Sequence, residues 1–120
     1  MKDKELLELA AKAAGLMVGS DEGEYRYRDD GTWVAGLYAT DNGYPIFWNP
    51  LIDDRDALRL AVKLGIGMVH HLGWGQVFHP SFHGERIDFH YDPDAQSATR
   101  RAITRVAAEI ARTTDTGGEA

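Results

Sequence analysis

The chain has 120 residues, of which 43% are hydrophobic, and a formal net charge of −6 from 19 acidic and 13 basic residues. A chain of this length can bury enough apolar surface to form one core without metal or disulfide support. The sequence contains no cysteine, which excludes disulfide scaffolds, thiolate zinc sites and cysteine nucleophiles. The acidic balance argues against nucleic-acid binding by bulk charge, because neutralising phosphates requires clustered lysine and arginine.

The apolar runs of the sequence are short. None reaches the ~18 residues of a membrane span, and the charged residues 1–5 are not typical of a signal peptide. We therefore expect a soluble cytoplasmic protein that makes no membrane contact.

The first half of the chain predicts a helix followed by a three-stranded meander. The helix has Asp3 as its N-cap, extends to about Ala14 and ends at Gly15. Strands are predicted over residues 25–27, 32–38 and 44–48, with turns at 29–31 and 41–43. Pro45 cannot donate a hydrogen bond to a ladder, so it is predicted at a sheet edge or at the start of a strand.

The second half repeats this order. The acidic residues at 53–56 suit the start of a helix that extends to about Leu64 and ends at Gly65. Strands are predicted over 66–71, 76–79 and 86–91, with a turn at 73–75. The last helix is predicted to begin at 92–94, with Asp92 as the cap and Pro93 at the first helical position, and to end at about Arg112.

This order of elements, α-βββ-α-βββ-α, predicts an α+β fold. We expect a mainly antiparallel sheet of five or six short strands packed with three helices, similar in plan to an α/β/α sandwich. Residues 1–112 are predicted to form a single domain, and residues 113–120 a disordered tail.

All five histidines lie between positions 70 and 90. Three of them, His71, His79 and His90, are candidate ligands for zinc or another divalent ion that would activate a water molecule. The favoured interpretation, however, is a set of solvent-facing histidines that bind no metal, because the chain contains no His-Glu-x-x-His motif. We therefore predict no cofactor and no catalytic residues, and keep the histidine metal site as the alternative.

A row of basic residues follows one side of the second helix. Arg55, Arg59 and Lys63 repeat every four residues and are candidates for contacting phosphates or an acidic protein surface. The alternative is an ordinary solvated face opposite five inward-facing residues: Ala57, Leu58, Ala61, Val62 and Leu64. The last helix carries a similar, weaker row at Arg101, Arg105 and Arg112.

Two further features are candidates for binding a partner. Trp74 stands between two glycines at a predicted hairpin tip, where an exposed tryptophan can anchor a protein interface. The region before position 31 carries more acids than bases, and five of its acids are predicted to contact a partner: Asp21, Glu22, Glu24, Asp29 and Asp30.

Three segments carry a resemblance to a known group of proteins. They are residues 48–64, which include the run Trp-Asn-Pro-Leu-x-Asp-Asp, the alanine-rich residues 98–103 and the opening residues 5–14. They resemble segments of small uncharacterised phage and prophage proteins, and the plan is similar to the phage α/β/α-sandwich (ABA) domain family. Arg55 stands where that pattern has glycine, and the histidine-rich middle has no counterpart in it.

The resemblance implies a fold and a phage origin and carries no activity with it. Small acidic phage proteins often bind host proteins, and anti-CRISPR proteins are one such class. We therefore expect a protein-binding inhibitor of a bacterial defence complex, acting in the host cytoplasm. The alternatives are a histidine-ligated metal-dependent hydrolase or nuclease-like enzyme, and a phage accessory or structural protein that forms a homodimer through the edge near Pro45.

Overall fold

The computed structural model describes residues 2–18, 25–27, 33–35, 37–41, 43–83 and 85–118. Three helices, α1 (Asp3–Ala13), α2 (Asp54–Leu64) and α3 (Ala95–Gly118), combine with eight short strands. The strands are β1 (Met17–Val18), β2 (Tyr25–Tyr27), β3 (Trp33–Ala35), β4 (Leu37–Asp41), β5 (Tyr44–Trp48), β6 (Gly67–His70), β7 (Trp74–Phe78) and β8 (Arg86–His90). The predicted α+β class is confirmed.

The described strands form three antiparallel sheets, of order β1-β4-β5, β2-β3 and β6-β7-β8. The predicted strand over 32–38 was wrong, because it is divided into β3 and β4, which lie in different sheets. Strand β1 is too short to show a periodic pattern, and it pairs with β4 directly after α1. Pro45 lies in β5, an edge strand of its sheet, as predicted.

The helix boundaries follow local capping chemistry. Lys2, not Asp3, occupies the N-cap position of α1, and Asp3 is the first helical residue. The left-handed Gly15 (φ 77°) ends α1 as predicted, and the next amide, of Leu16, donates to Ala11 O at 2.9 Å. Asp53 caps α2 by accepting from the Asp56 amide.

The start of α3 differs from the prediction. Asp94, not Asp92, accepts from the Ser97 amide at 2.7 Å and from the Ser97 hydroxyl at 3.0 Å, so Pro93 precedes the helix. The helix passes its predicted end at Arg112 and enters the segment that we predicted to be disordered.

Helix α3 lies at the centre of the core. It packs most extensively against α1, and it also contacts α2, β7 and β8. Alanines at the α1–α3 contact, among them Ala10, Ala11 and Ala107, are fully buried and allow the two helices to approach closely. The three helices therefore meet through α3, whereas a sheet separates the helical layers in an α/β/α sandwich.

Candidate functional site

The exposed side of α2 carries basic and apolar side chains together. Besides Asp54 at its first position, α2 has five exposed residues, which are spaced i, i+3, i+4, i+7 and i+8 and therefore lie on one side of the helix. They are Arg55, Leu58, Arg59, Val62 and Lys63, and we call them the α2 face.

This composition differs from the predicted one. Leu58 and Val62 were predicted to point inward, but they are 59% and 73% exposed. The buried positions of α2 are Ala57, Leu60 and Ala61, which lie on the side turned towards the core. The prediction assigned the apolar residues of the helix to its inner side. The sequence spacing indicated otherwise, because Leu58 and Val62 each follow a basic residue, Arg55 and Arg59, by three positions and therefore lie beside the basic row on the same side of the helix.

Among the described residues the cations of the α2 face form no close ion pair, although Arg55 and Arg59 interact electrostatically with the Asp56 carboxylate. Within the described part of the chain, no carboxylate lies within 4 Å of Arg55, Arg59 or Lys63. By contrast, two arginines of the second basic row form ion pairs: Arg101 donates from its two terminal guanidinium nitrogens to the Asp3 carboxylate at 3.1 and 3.2 Å. In that row Arg112 also pairs with Glu109, at 3.3 Å.

An apolar groove of about 330 Å³ adjoins one side of the α2 face. Leu58 forms one wall, Met68 of β6 and Ile103 of α3 form others, and His70 lies at the rim. The Nδ1 atom of His70 is hydrogen-bonded to the Tyr91 hydroxyl at 2.5 Å. The exposed Leu58 is therefore continuous with a concave apolar surface.

The opposite side of the α2 face adjoins a charged cavity that separates α2 from β5 and from the end of α1. The half-buried Asp56 lines it and accepts a hydrogen bond from the Asn49 amide at 2.9 Å. Burial raises the pKa of the Asp56 carboxyl above its ordinary value. The Asp53 carboxylate also raises this pKa, whereas the Asn49 hydrogen bond, Arg59 and Arg55 lower it.

The histidines proposed as metal ligands do not converge. His79 follows β7, whereas His90 pairs in register with Trp74 at the opposite end of that strand. Five residues of strand separate the two levels by about 16 Å. The described residues contain no group of three metal-ligating side chains, so the triad of His71, His79 and His90 is not assembled.

Both ring nitrogens of His79 have structural partners. The Ser81 amide donates to Nδ1 at 3.1 Å, so Nε2 carries the hydrogen and donates to Leu64 O at 2.8 Å. His79 therefore connects the end of β7 to the end of α2, which fixes the α2 face relative to the third sheet.

Trp74 was wrongly predicted at the hairpin tip. It is the first residue of β7, half-buried, with its ring stacked on His71 at 4.1 Å between centroids. The turn comprises residues 71–73, in which Gly73 is left-handed and Leu72 is fully exposed. Gly75 is a strand residue that pairs with Phe89 of β8, and the position requires glycine because a Cβ there would lie 2.6 Å from the Phe89 ring.

The five acids proposed as partner contacts, Asp21, Glu22, Glu24, Asp29 and Asp30, lie outside the described residues. Of the predicted partner-binding residues, the structure brings together Arg55, Arg59 and Lys63 on α2. Trp74 does not join them, because it lies in β7 of the third sheet.

Comparisons with protein-family models, with curated proteins and with solved structures each gave no match. The resemblance to phage proteins therefore stays a prediction.

No described helix is long and apolar enough to cross a membrane.

Proposed function

We propose that this protein acts by binding another protein through the α2 face, and that the bound segment is acidic and contains apolar side chains. One observation carries the proposal: two large apolar residues, Leu58 and Val62, are exposed beside three cations that have no counter-ion within 4 Å among the described residues. Burying Leu58 and Val62 would remove apolar surface from water, and carboxylates of the partner would neutralise the cations.

The composition of the face favours a protein over a nucleic acid. Apolar side chains beside arginine are typical of protein interfaces, whereas a phosphate backbone offers nothing that would bury Leu58 and Val62. The net charge of −6 also opposes the approach of a long polyanion. A short acidic segment bound at the α2 face would interact mainly with charges within the screening length of about 8 Å, so the net charge of the whole protein would oppose its binding less.

A peptide-library selection tests this proposal. We expect the wild-type protein to enrich peptides that combine Asp or Glu with Leu, Ile or Phe. The variant Leu58→Gln/Val62→Gln should lose that enrichment and keep its fold, because both side chains are exposed. Leu72→Gln is the matched control, since it removes a fully exposed apolar side chain from another surface.

Two outcomes would contradict the proposal. The first is equal enrichment by the wild type and the double variant. The second is tight binding of single-stranded DNA that depends on Arg55 and Arg59 but not on Leu58, which would assign the face to nucleic acid.

The biological role that we propose is inhibition of a bacterial defence complex in the host cytoplasm, because the resemblance implies a phage origin and small acidic phage proteins often bind host proteins. The chain should then lower CRISPR immunity when it is expressed in a bacterium with an active system, measured as plasmid transformation efficiency. Leu58→Gln/Val62→Gln should restore immunity, and Leu72→Gln should not. If the wild type and both variants lowered immunity equally, the inhibition would not depend on the α2 face, and this would contradict the proposed mechanism.

A further inference from the structure

The charged cavity beside α2 has the size of a small-molecule site. Its volume is about 410 Å³, within the range of cavities that bind small ligands. Its walls come from three parts of the fold: the end of α1, strands β4 and β5, and α2.

One wall of the cavity carries the cations of α2. Arg55, Arg59 and Lys63 all line it, and steps of four residues along a helix separate them by about 6 Å each. The Lys63 ammonium lies beside Gly15, 3.9 Å from the position that a Cβ would occupy. It therefore faces the carbonyl end of α1 as well as the cavity.

The acids of the cavity are partly engaged elsewhere. Asp53 caps α2 by accepting from the Asp56 amide at 3.0 Å, and Asp56 accepts from the Asn49 amide. Asp41, at the end of β4, is the third acid. Arg55 and Arg59 attract the Asp56 carboxylate, but none of the three acids lies within 4 Å of a cation of the α2 face, so the N–H donors of these cations remain available to a bound anion.

Apolar side chains complete the cavity. Trp48 and Leu60 are buried, and Ile46 is half-buried beside them. The cavity therefore combines cationic donors with an apolar surface that can contact carbon atoms of a ligand.

We propose that this cavity binds a small organic molecule that carries a carboxylate or phosphate group. The anionic group contacts Arg59 and Lys63, and its carbon skeleton lies against Ile46 and Leu60. Charge-assisted hydrogen bonds to arginine and lysine supply the recognition.

This inference does not depend on a protein partner. The α2 cations serve both proposals, but Leu58 and Val62 do not line the cavity, and Ile46 and Asp41 do not belong to the α2 face. Binding of a small anion measured without any partner therefore distinguishes the two.

The experiment is a titration of the ¹⁵N-labelled protein with inorganic phosphate, with glutarate and with glutaramide, which has the same skeleton as glutarate but no charge. We expect chemical-shift changes at Gly15, Asp41 and Lys63 for at least one of the two anions and none for glutaramide. A response to phosphate alone or to glutarate alone identifies which anionic group the cavity takes.

Four variants test the geometry. Arg59→Gln and Lys63→Gln should each weaken the bound anion by about tenfold, as expected for the loss of one charged hydrogen bond. Arg105→Gln, an exposed arginine of α3, should change nothing. Asp41→Asn should strengthen binding, because it removes a negative charge from the cavity. The inference is overturned if neither anion binds in the millimolar range, or if Lys63→Gln leaves the affinity unchanged.

Discussion

Arg100 of α3 and Asp54 of α2 form an ion pair of 2.6 Å in which the arginine is the buried partner. The Arg100 side chain is 17% exposed and that of Asp54 is 75% exposed. Arg100 also donates to Leu51 O at 2.9 Å and to the Ser97 hydroxyl at 3.1 Å. One side chain therefore holds the start of α2, and with it the α2 face, against the first two turns of α3.

Replacing Arg100 should destabilise the fold more than replacing its partner. Arg100→Met keeps the apolar stem and removes the donors, so we expect a loss of about 1–3 kcal/mol in the free energy of unfolding. Asp54→Asn should cost no more than about 1 kcal/mol, because exposed carboxylates contribute little. Urea denaturation measures both losses, and equal losses would contradict the central role of Arg100.

His79 should stabilise the fold through its two hydrogen bonds. His79→Ala leaves Leu64 O and the Ser81 amide without this partner, and we expect a loss of about 1–2 kcal/mol. His90→Ala is the control, since His90 is exposed on β8 and should change stability by less than about 0.5 kcal/mol. Thermal unfolding of both variants measures these losses, and an equally small loss in His79→Ala and His90→Ala would contradict the connecting role of His79.

The pKa of Asp56 is raised by burial, so protonation of this carboxyl favours the folded state. Its contribution to stability is fully present below its unfolded pKa and is lost as the pH rises through its folded pKa. Asp56→Asn, which has no charge to desolvate and retains an oxygen to accept from the Asn49 amide, should be at least as stable as the wild type at pH 7.

The advantage of Asp56→Asn should disappear as the pH falls below the range in which Asp56 titrates. Unfolding free energies of both proteins between pH 7 and pH 3 give the difference directly. A difference that grows as the pH falls would contradict the assigned direction of the pKa shift.

The sequence predicted elements whose determinants are local. Gly15 and Gly65 end helices in left-handed conformations that favour glycine, and Asp53 precedes the helix that it caps. Pro45 was placed at an edge because it lacks an amide donor. These outcomes depend on chemistry within a few residues of each position.

Errors arose where packing between distant elements decides the structure. Gly75 looked like a turn residue, but the ring of Phe89 on β8 occupies the space that a side chain would need. Trp74 therefore belongs to a strand rather than a tip. The error in α2 has a different origin: Ala57, Leu60 and Ala61 have the i, i+3, i+4 spacing of one helix face, so the periodicity itself indicated Leu60 and not Leu58 as the inward residue.

The histidine cluster shows the same limit as Gly75. Solvent-facing histidines were the favoured interpretation of the five histidines within 21 residues, with a metal site as the alternative, and strand register separates His79 from His90 by the length of β7. Only the pairing of the strands determines that separation.

The most direct test of the central claim is chemical-shift mapping of the ¹⁵N-labelled protein with an acidic, apolar peptide obtained by selection. We expect the largest changes at Arg55, Leu58, Arg59, Val62 and Lys63, little change at Trp74 or His90, and at least about tenfold weaker binding to Leu58→Gln/Val62→Gln. Changes confined to the third sheet, or equal affinity for the double variant, would contradict the assignment of the α2 face as the binding surface.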